Sequence, residues 1–197
     1  MISPIDASSY RHIGRGYDTE IGDSLDVSFQ PQVKVKLWDN ESNFSMRLLN
    51  FGVGSHNFDG SRVQWAGNNA SCEFINSGDG FEFYIDLISK PATNQLRFSL
   101  ETKNIVVFKQ PELTPEEIAD GAFRPDNVIN SYAVYHSAKN NNEYQTGKIL
   151  HLYRPKATDA NSNSVWCDQD INVPVRTKVI TIPQSFLDTA VYPVRIS

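Results

Sequence analysis

The chain has 197 residues, a formal charge of −5 and a pI near 5.3. Its 40% apolar and 11% aromatic content is that of a folded globular protein, long enough to bury a core without metals or disulfides. The acidic balance argues against a broadly basic nucleic-acid binder, and no apolar run reaches the roughly 18 residues of a membrane-spanning helix.

Residues 1–6 (Met-Ile-Ser-Pro-Ile-Asp) show no basic region leading into an apolar stretch, so no secretory signal is expected. Residues 1–30 hold few apolar pairs. They run from basic (Arg11, His12, Arg15) through Tyr17 to acidic (Asp18, Glu20, Asp23, Asp26). This reads as an extended N-terminal arm, separate from a β-sandwich domain over 31–197. An arm with so little core is expected to be held by a neighbouring subunit. Its partner-binding residues would be Arg11, His12, Arg15, Tyr17 and Asp18, pairing with charges of opposite sign.

From residue 33 the pattern is that of strands and turns. Val33, Val35 and Leu37 alternate with Lys34 and Lys36, the period of a half-buried strand. Phe44–Phe51 is a second strand. Gly52, Gly54, Asp59-Gly60 and Gly67-Asn68-Asn69 mark loops, and Ser77-Gly78-Asp79-Gly80 a tight turn. Alternation returns over Phe81–Leu87 and Leu96–Leu100, then a β-branched run at Ile105–Phe108. A long connection over 109–130 contains Pro111, Pro115 and Pro125, and connections this long are usually functional or packed on a partner. Within it, Thr114, Pro115 and Glu117 have the spacing of a helix start with a capping box. Further strands are expected at Tyr132–Tyr135, Ile149–Tyr153, Val165–Val173, Val179–Ile182 and Val191–Ile196. A hairpin tip falls at Asn140-Asn141-Asn142 and a second helical turn after Pro183. The whole predicts an all-β, antiparallel, jelly-roll-like β-sandwich.

Chemistry-bearing motifs are sparse. His12, His56, His136 and His151 have no second His or Cys at metal-ligand spacing. His136 and His151 could face each other across a hairpin, as a polar pair more readily than as a zinc site. Asp159, Asn161, Asn163 and Asp170 match part of a calcium-loop spacing, but Ser164 stands where the loop needs Gly. A hairpin turn rich in Asp and Asn is the better reading. Glu82 and Asp86 lie about 13 Å apart along one strand, too far for a glycosidase pair. No Gly-x-Ser-x-Gly elbow occurs. Trp38, Trp65 and Trp166 sit near turns, where a core or interface role outweighs a sugar platform. The sequons at Asn40, Asn43 and Asn69 are near chance in so Asn- and Ser-rich a chain. Cys72 and Cys167 are expected to be reduced. No cofactor is expected.

Residues 95–197 carry four stretches in order: RFSLETKNIVVFKQPELTPEEIADGAFRPDNVINSYAVYH, GKILHLYRPKATDA, VWCDQDINV and VITIPQSFLDTAVYPVRI. Their ending, Phe186-Leu187-Asp188-x-Ala190-x-Tyr192-Pro193-Val194, is the most distinctive part. This half of the chain resembles a β-rich module of predicted bacteriophage and prophage virion-associated proteins, also found in large bacterial surface proteins. Members of that family continue past the Tyr-Pro-Val strand into Asp-Pro-Thr. Here the chain stops at Ser197, so it is expected to be a free-standing module or the ordered base of something longer. Asn161 stands where the family tends to carry Gly.

The resemblance implies a structural, non-enzymatic role on a virus particle. A capsid decoration role (head accessory or head-fibre base) is favoured over a tail or baseplate role. The partners would be other virion proteins, foremost the major capsid protein and further copies of the chain, with no direct nucleic acid and no membrane. The alternatives are a tail-fibre module that binds host-surface glycan and, behind it, a glycan depolymerase. Pro193, which cannot donate to a ladder, places the final strand at an edge or terminus.

Overall fold

The computed structural model describes residues 1–22, 31–52, 54–77, 80–139 and 146–197. It is all-β, with 53% strand and 6% helix, and every sheet is antiparallel. In chain order the elements begin β1 (Ile2–Pro4), β2 (Ser9–Ile13), β3 (Tyr17–Gly22), β4 (Gln32–Leu37) and β5 (Ser42–Leu48). Next come β6 (Ser55–Phe58), β7 (Arg62–Ala66), β8 (Ala70–Ser77), β9 (Gly80–Leu87), β10 (Gln95–Lys103) and β11 (Ile105–Lys109). Helix α1 (Pro115–Ala119) precedes β12 (Tyr132–His136), β13 (Lys148–Leu152), β14 (Lys156–Thr158), β15 (Ser164–Trp166), β16 (Asp168–Asn172) and β17 (Thr177–Thr181). Helix α2 (Gln184–Thr189) and β18 (Val194–Ile196) complete the series.

Among the described residues the strands form three sheets. An eight-stranded sheet has the order β1-β2-β3-β4-β5-β10-β17-β16, and a seven-stranded sheet the order β15-β14-β18-β9-β8-β7-β6. Their inward residues make the sandwich core: Ile21, Val33, Phe44, Phe98 and Leu100 from the first, Val63, Phe74, Ile85 and Val194 from the second. Both contributions follow the period-2 alternation that buries one face of each strand. A smaller sheet, β11-β12-β13, adds Val134 and Leu152 to the same core.

Residues 2–22, read from the sequence as an extended arm, are strands β1, β2 and β3 of the eight-stranded sheet. Their alternation is disguised, because polar His12 and Thr19 share the inward face with Tyr10 and Ile21. Residues 23–30, including Asp23 and Asp26, lie outside the described residues. So do the predicted turn tips at Gly78-Asp79 and Asn140-Asn141-Asn142. Val165–Val173 is two strands instead of one. The chain passes from the seven-stranded to the eight-stranded sheet at Cys167, whose N–H donates to the Pro155 carbonyl (2.9 Å). Strand β18 lies between β14 and β9 instead of at an edge. Pro193 stands just before its first residue, so the missing N–H costs the ladder nothing.

The predicted capping box is present. Thr114 Oγ1 accepts from the Glu117 N–H, and Glu117 Oε2 accepts from the Thr114 N–H.

Candidate functional site: a cleft between two strand edges

The arm residues singled out in the sequence are brought together, but by each other. Arg11 on β2 makes a bidentate pair with Asp18 on β3 (2.8 and 2.6 Å). Lys36 on β4 bridges Asp18 (3.2 Å) and Glu20. Burial raises the Asp18 pKa, and its two cations outweigh that and hold it below the ordinary carboxylate value. His12 is buried, with Nδ1 3.2 Å from the Met1 carbonyl oxygen. Arg15, in the β2–β3 turn, and Tyr17 line a cavity. The basic-then-acidic order that suggested contact with a neighbouring subunit is a cross-strand ladder within one sheet.

The calcium spacing resolves into a turn. Asp159 Oδ1 accepts from the N–H groups of Asn161 and Asn163 (both 2.9 Å). Its Oδ2 accepts from Asn163 Nδ2 (3.1 Å) and the Val191 N–H (3.2 Å). The Asn163 side chain foremost, with these amides, holds Asp159 below the ordinary carboxylate pKa. Asp170 lies on β16, in the other sheet, where Tyr132 Oη donates to it (3.4 Å). Because the Asp159 oxygens already face N–H donors, millimolar calcium is expected to leave the thermal midpoint unchanged. A rise of several degrees in a calcium titration would restore the ion reading.

His136 and His151 lie on paired strands but not opposite each other. His151 faces Ala133 across the ladder, and His136 faces Ile105. His136 Nε2 is 3.0 Å from Glu41 Oε1, which also accepts from Lys139 Nζ (2.9 Å). Trp38 is partly exposed, with Lys139 4.7 Å from its ring centroid. Trp166 lies under Arg154 (5.6 Å) and Lys156 (5.3 Å), and Trp65 is buried. Glu82 accepts from the Tyr84 hydroxyl, while Asp86 is clamped bidentately by Arg195 (2.7 Å twice). Cys72 and Cys167 are free and buried, and burial pushes both thiols up, Cys167 to about 12.

Sequence reasoning missed one concavity entirely. It has a volume of about 910 Å³, within the range of small-ligand pockets, and lies between the eight-stranded sheet, β9 and β13. Its floor is Val35, Met46, Phe98 and Ile180, and its walls include Ile85, Leu150 and Ile196. Lys178 also lines it. This residue occupies an inward position of β17, is 6% exposed, and has no hydrogen-bond or ion-pair partner among the described residues. Its Nζ lies 5.6 Å from the Phe98 ring centroid. Burial lowers its pKa to about 8. On the β13 wall, His151 has Nε2 2.7 Å from Ser131 Oγ, while its buried Nδ1 has no partner among the described residues. A single signal in the sequence pointed here: Lys178 stands where the alternation of β17 calls for an apolar residue.

A second feature faces outward. The connection 110–131 is fastened by the Asn130 N–H to Gln110 O (2.6 Å), the Arg154 N–H to Asn127 O (2.9 Å), and Arg124 to the Pro111 carbonyl. Yet α1 buries none of its side chains. Phe123 is 85% exposed and Ile118 59%.

Fold and sites together define an antiparallel β-sandwich carrying a cationic apolar cleft and a fixed loop with exposed apolar side chains. No protein-family model, curated protein or solved structure matches the chain.

Proposed function

We propose that this chain is a structural protein of a bacteriophage particle, a capsid decoration protein that binds other virion subunits and sits on the particle surface in multiple copies. The observation that carries the reading is the 110–131 connection. Its backbone is fixed by its own hydrogen bonds, while Ile118 and Phe123 are turned away from the core. A fixed loop that exposes large apolar side chains suits a protein partner, because the ordering entropy is already spent and the apolar area remains to be buried. This connection lies within residues 95–197, the half of the chain whose sequence resembles virion-associated modules. The docking surface is therefore assigned to this loop and not to Arg11, His12, Arg15, Tyr17 and Asp18, of which Arg11 and Asp18 already pair with each other.

A glycan-binding tail module fits less well. Cations lie over the rings of Trp38 and Trp166, whereas sugar stacking needs an open ring face. No catalytic step is assigned to the chain.

Purified particles test the reading. Mass spectrometry or cryo-EM is expected to find the chain in fixed, high ratio to the major capsid protein. Substituting Ile118→Ser with Phe123→Ser is expected to cut its incorporation at least tenfold, with the thermal midpoint unchanged. A few copies per particle would move the chain to the tail. Absence from particles would end the proposal.

A further inference from the structure

The cleft has the shape of a missing strand. Strand β18 pairs with Ile85–Leu87 of β9 on one side and with Ala157 and Thr158 of β14 on the other. Strand β9 extends further, to Gly80, and along Gly80–Tyr84 no described strand pairs with the edge that faces away from β8. From the opposite wall comes β13, whose only partner among the described residues is β12. Both edges line the same cavity, as do Ile196 and Ser197 at the end of β18. Unpaired strand edges are templates for another strand, and proteins usually blunt or cover them. Here they flank an apolar floor with Lys178 in it.

The unpartnered ammonium narrows the choice of occupant. A buried cation is costly unless an anion meets it. Arg15 adds positive charge at the wall, Arg154 is already paired with Asp168 (3.9 Å), and the carboxylate of Glu82 already accepts from Tyr84. A long-chain carboxylate would cover the floor and neutralise Lys178, but would leave both strand edges unpaired. An extended peptide satisfies all three.

We propose that this cleft receives an extended strand from another protein chain, collinear with β18, whose backbone pairs with β9 and β13 and whose inward carboxylate meets Lys178. Recognition by strand addition takes affinity from the main chain and selectivity from alternate side chains. The fitting segment has about five residues, with Asp or Glu at one inward position and apolar residues two places either side. This inference stands apart from the particle reading: absence of the chain from particles would leave it intact.

The test appends Val-Thr-Glu-Thr-Val directly after Ser197, continuing the inward register of Val194 and Ile196. Amide exchange within Gly80–Tyr84 and Lys148–Leu152 is expected to slow at least tenfold, and the thermal midpoint to rise. The same peptide, capped at both ends and added in trans, is expected to protect the same amides of the unextended chain. Replacing its Glu by Gln weakens it about tenfold against wild type and not against Lys178→Met, since one charge-assisted contact is worth about that factor. Val-Pro-Glu-Pro-Val, whose Pro positions face β13 and cannot donate to it, is expected to bind and protect more weakly. Unprotected edges in both formats would overturn the proposal. So would Lys178-dependent binding of laurate by a chain that takes no peptide, which would make the cleft an acyl-chain site.

Discussion

Replacing Lys178 with Met is expected to stabilise the protein by about 2–3 kcal/mol at neutral pH, and to raise the thermal midpoint by roughly 5–10 °C. Methionine keeps the unbranched stem against Phe98 and removes the ammonium. The origin of the gain is burial, which lowers the Lys178 pKa from its ordinary 10.5 to about 8. Below about pH 8 the side chain is protonated in both folded and unfolded chains, and the full penalty stands. Between about 8 and 10.5 the unfolded chain still holds the proton that the folded chain has released, so wild-type stability rises with pH.

The difference between variant and wild type is therefore largest below pH 8 and closes by about 10.5. The other titratable groups around the cleft include His151 of β13, Tyr153 and Arg154 just beyond it, Arg15 and Tyr17, Glu82 and Tyr84 of β9, and the carboxylate of Ser197. Of these, His151 is lowered from 6.5 by burial and by Lys148, so it acts in a separate, more acidic window. Tyr10, Tyr132, Cys72 and Cys167 are raised, mainly by burial, and erode stability in alkali in both proteins alike. Parallel stability curves, obtained by urea unfolding from pH 6 to 10.5, would refute the assignment.

Gln169→Leu is expected to cost about 2–3 kcal/mol, lost first from the three-stranded sheet. The Gln169 side chain is 2% exposed, and the two N–H groups of its Nε2 are shared among the carbonyls of Asn130 (3.3 Å), Leu152 (3.3 Å) and Tyr153 (3.0 Å). One amide on β16 thus ties the eight-stranded sheet to the start of β12 and the end of β13. Leucine has similar volume and no donor, so it leaves the buried Leu152 carbonyl without this partner, a desolvation cost of about 1–3 kcal/mol, and the part-buried Asn130 and Tyr153 carbonyls lose theirs at smaller cost. Tyr132 Oη supports the same junction by accepting from the Ile171 N–H (3.3 Å). Native-state hydrogen exchange should show β12 and β13 amides opening about 30–150 times more often, while β7 and β8 hold their protection. Uniform acceleration across all strands would mean that Gln169 stabilises the whole sandwich and not this joint.

The parts of the fold legible in the sequence were those with clean alternation. Val33–Leu37, Phe81–Leu87 and Leu96–Leu100 all lie in strands, and the Thr114 capping box sits where its spacing placed it. The strands β6, β7 and β8 were not read as strands. Asp59 caps its turn by accepting from the Ser61 and Arg62 N–H groups, and only this Gly- and Asn-rich punctuation stood out in the stretch. Val63, Trp65, Cys72 and Phe74 are the buried alternation underneath. The first three strands were hidden by polar inward residues such as His12 and Thr19. The cleft was illegible for a different reason. It is made by two strand edges far apart in sequence, and edges have no compositional signature. Lys178 alone broke pattern, and its meaning needs the neighbours that the fold supplies.

The placement of β18 has a kinetic consequence. Arg195 meets Asp86 across 109 positions of sequence, and the seven-stranded sheet divides into β15-β14 and β9-β8-β7-β6 until β18 joins them. The hairpins over β6–β9 and the meander over β1–β5 consist of local contacts and can form early. Closing the sheet must wait for residues 194–196, and closure over so long a loop carries an entropic cost that slows folding. A nascent chain therefore leaves the Ile85–Leu87 edge of β9 bare until synthesis has passed Ile196, making this the period in which misassembly is most open to it.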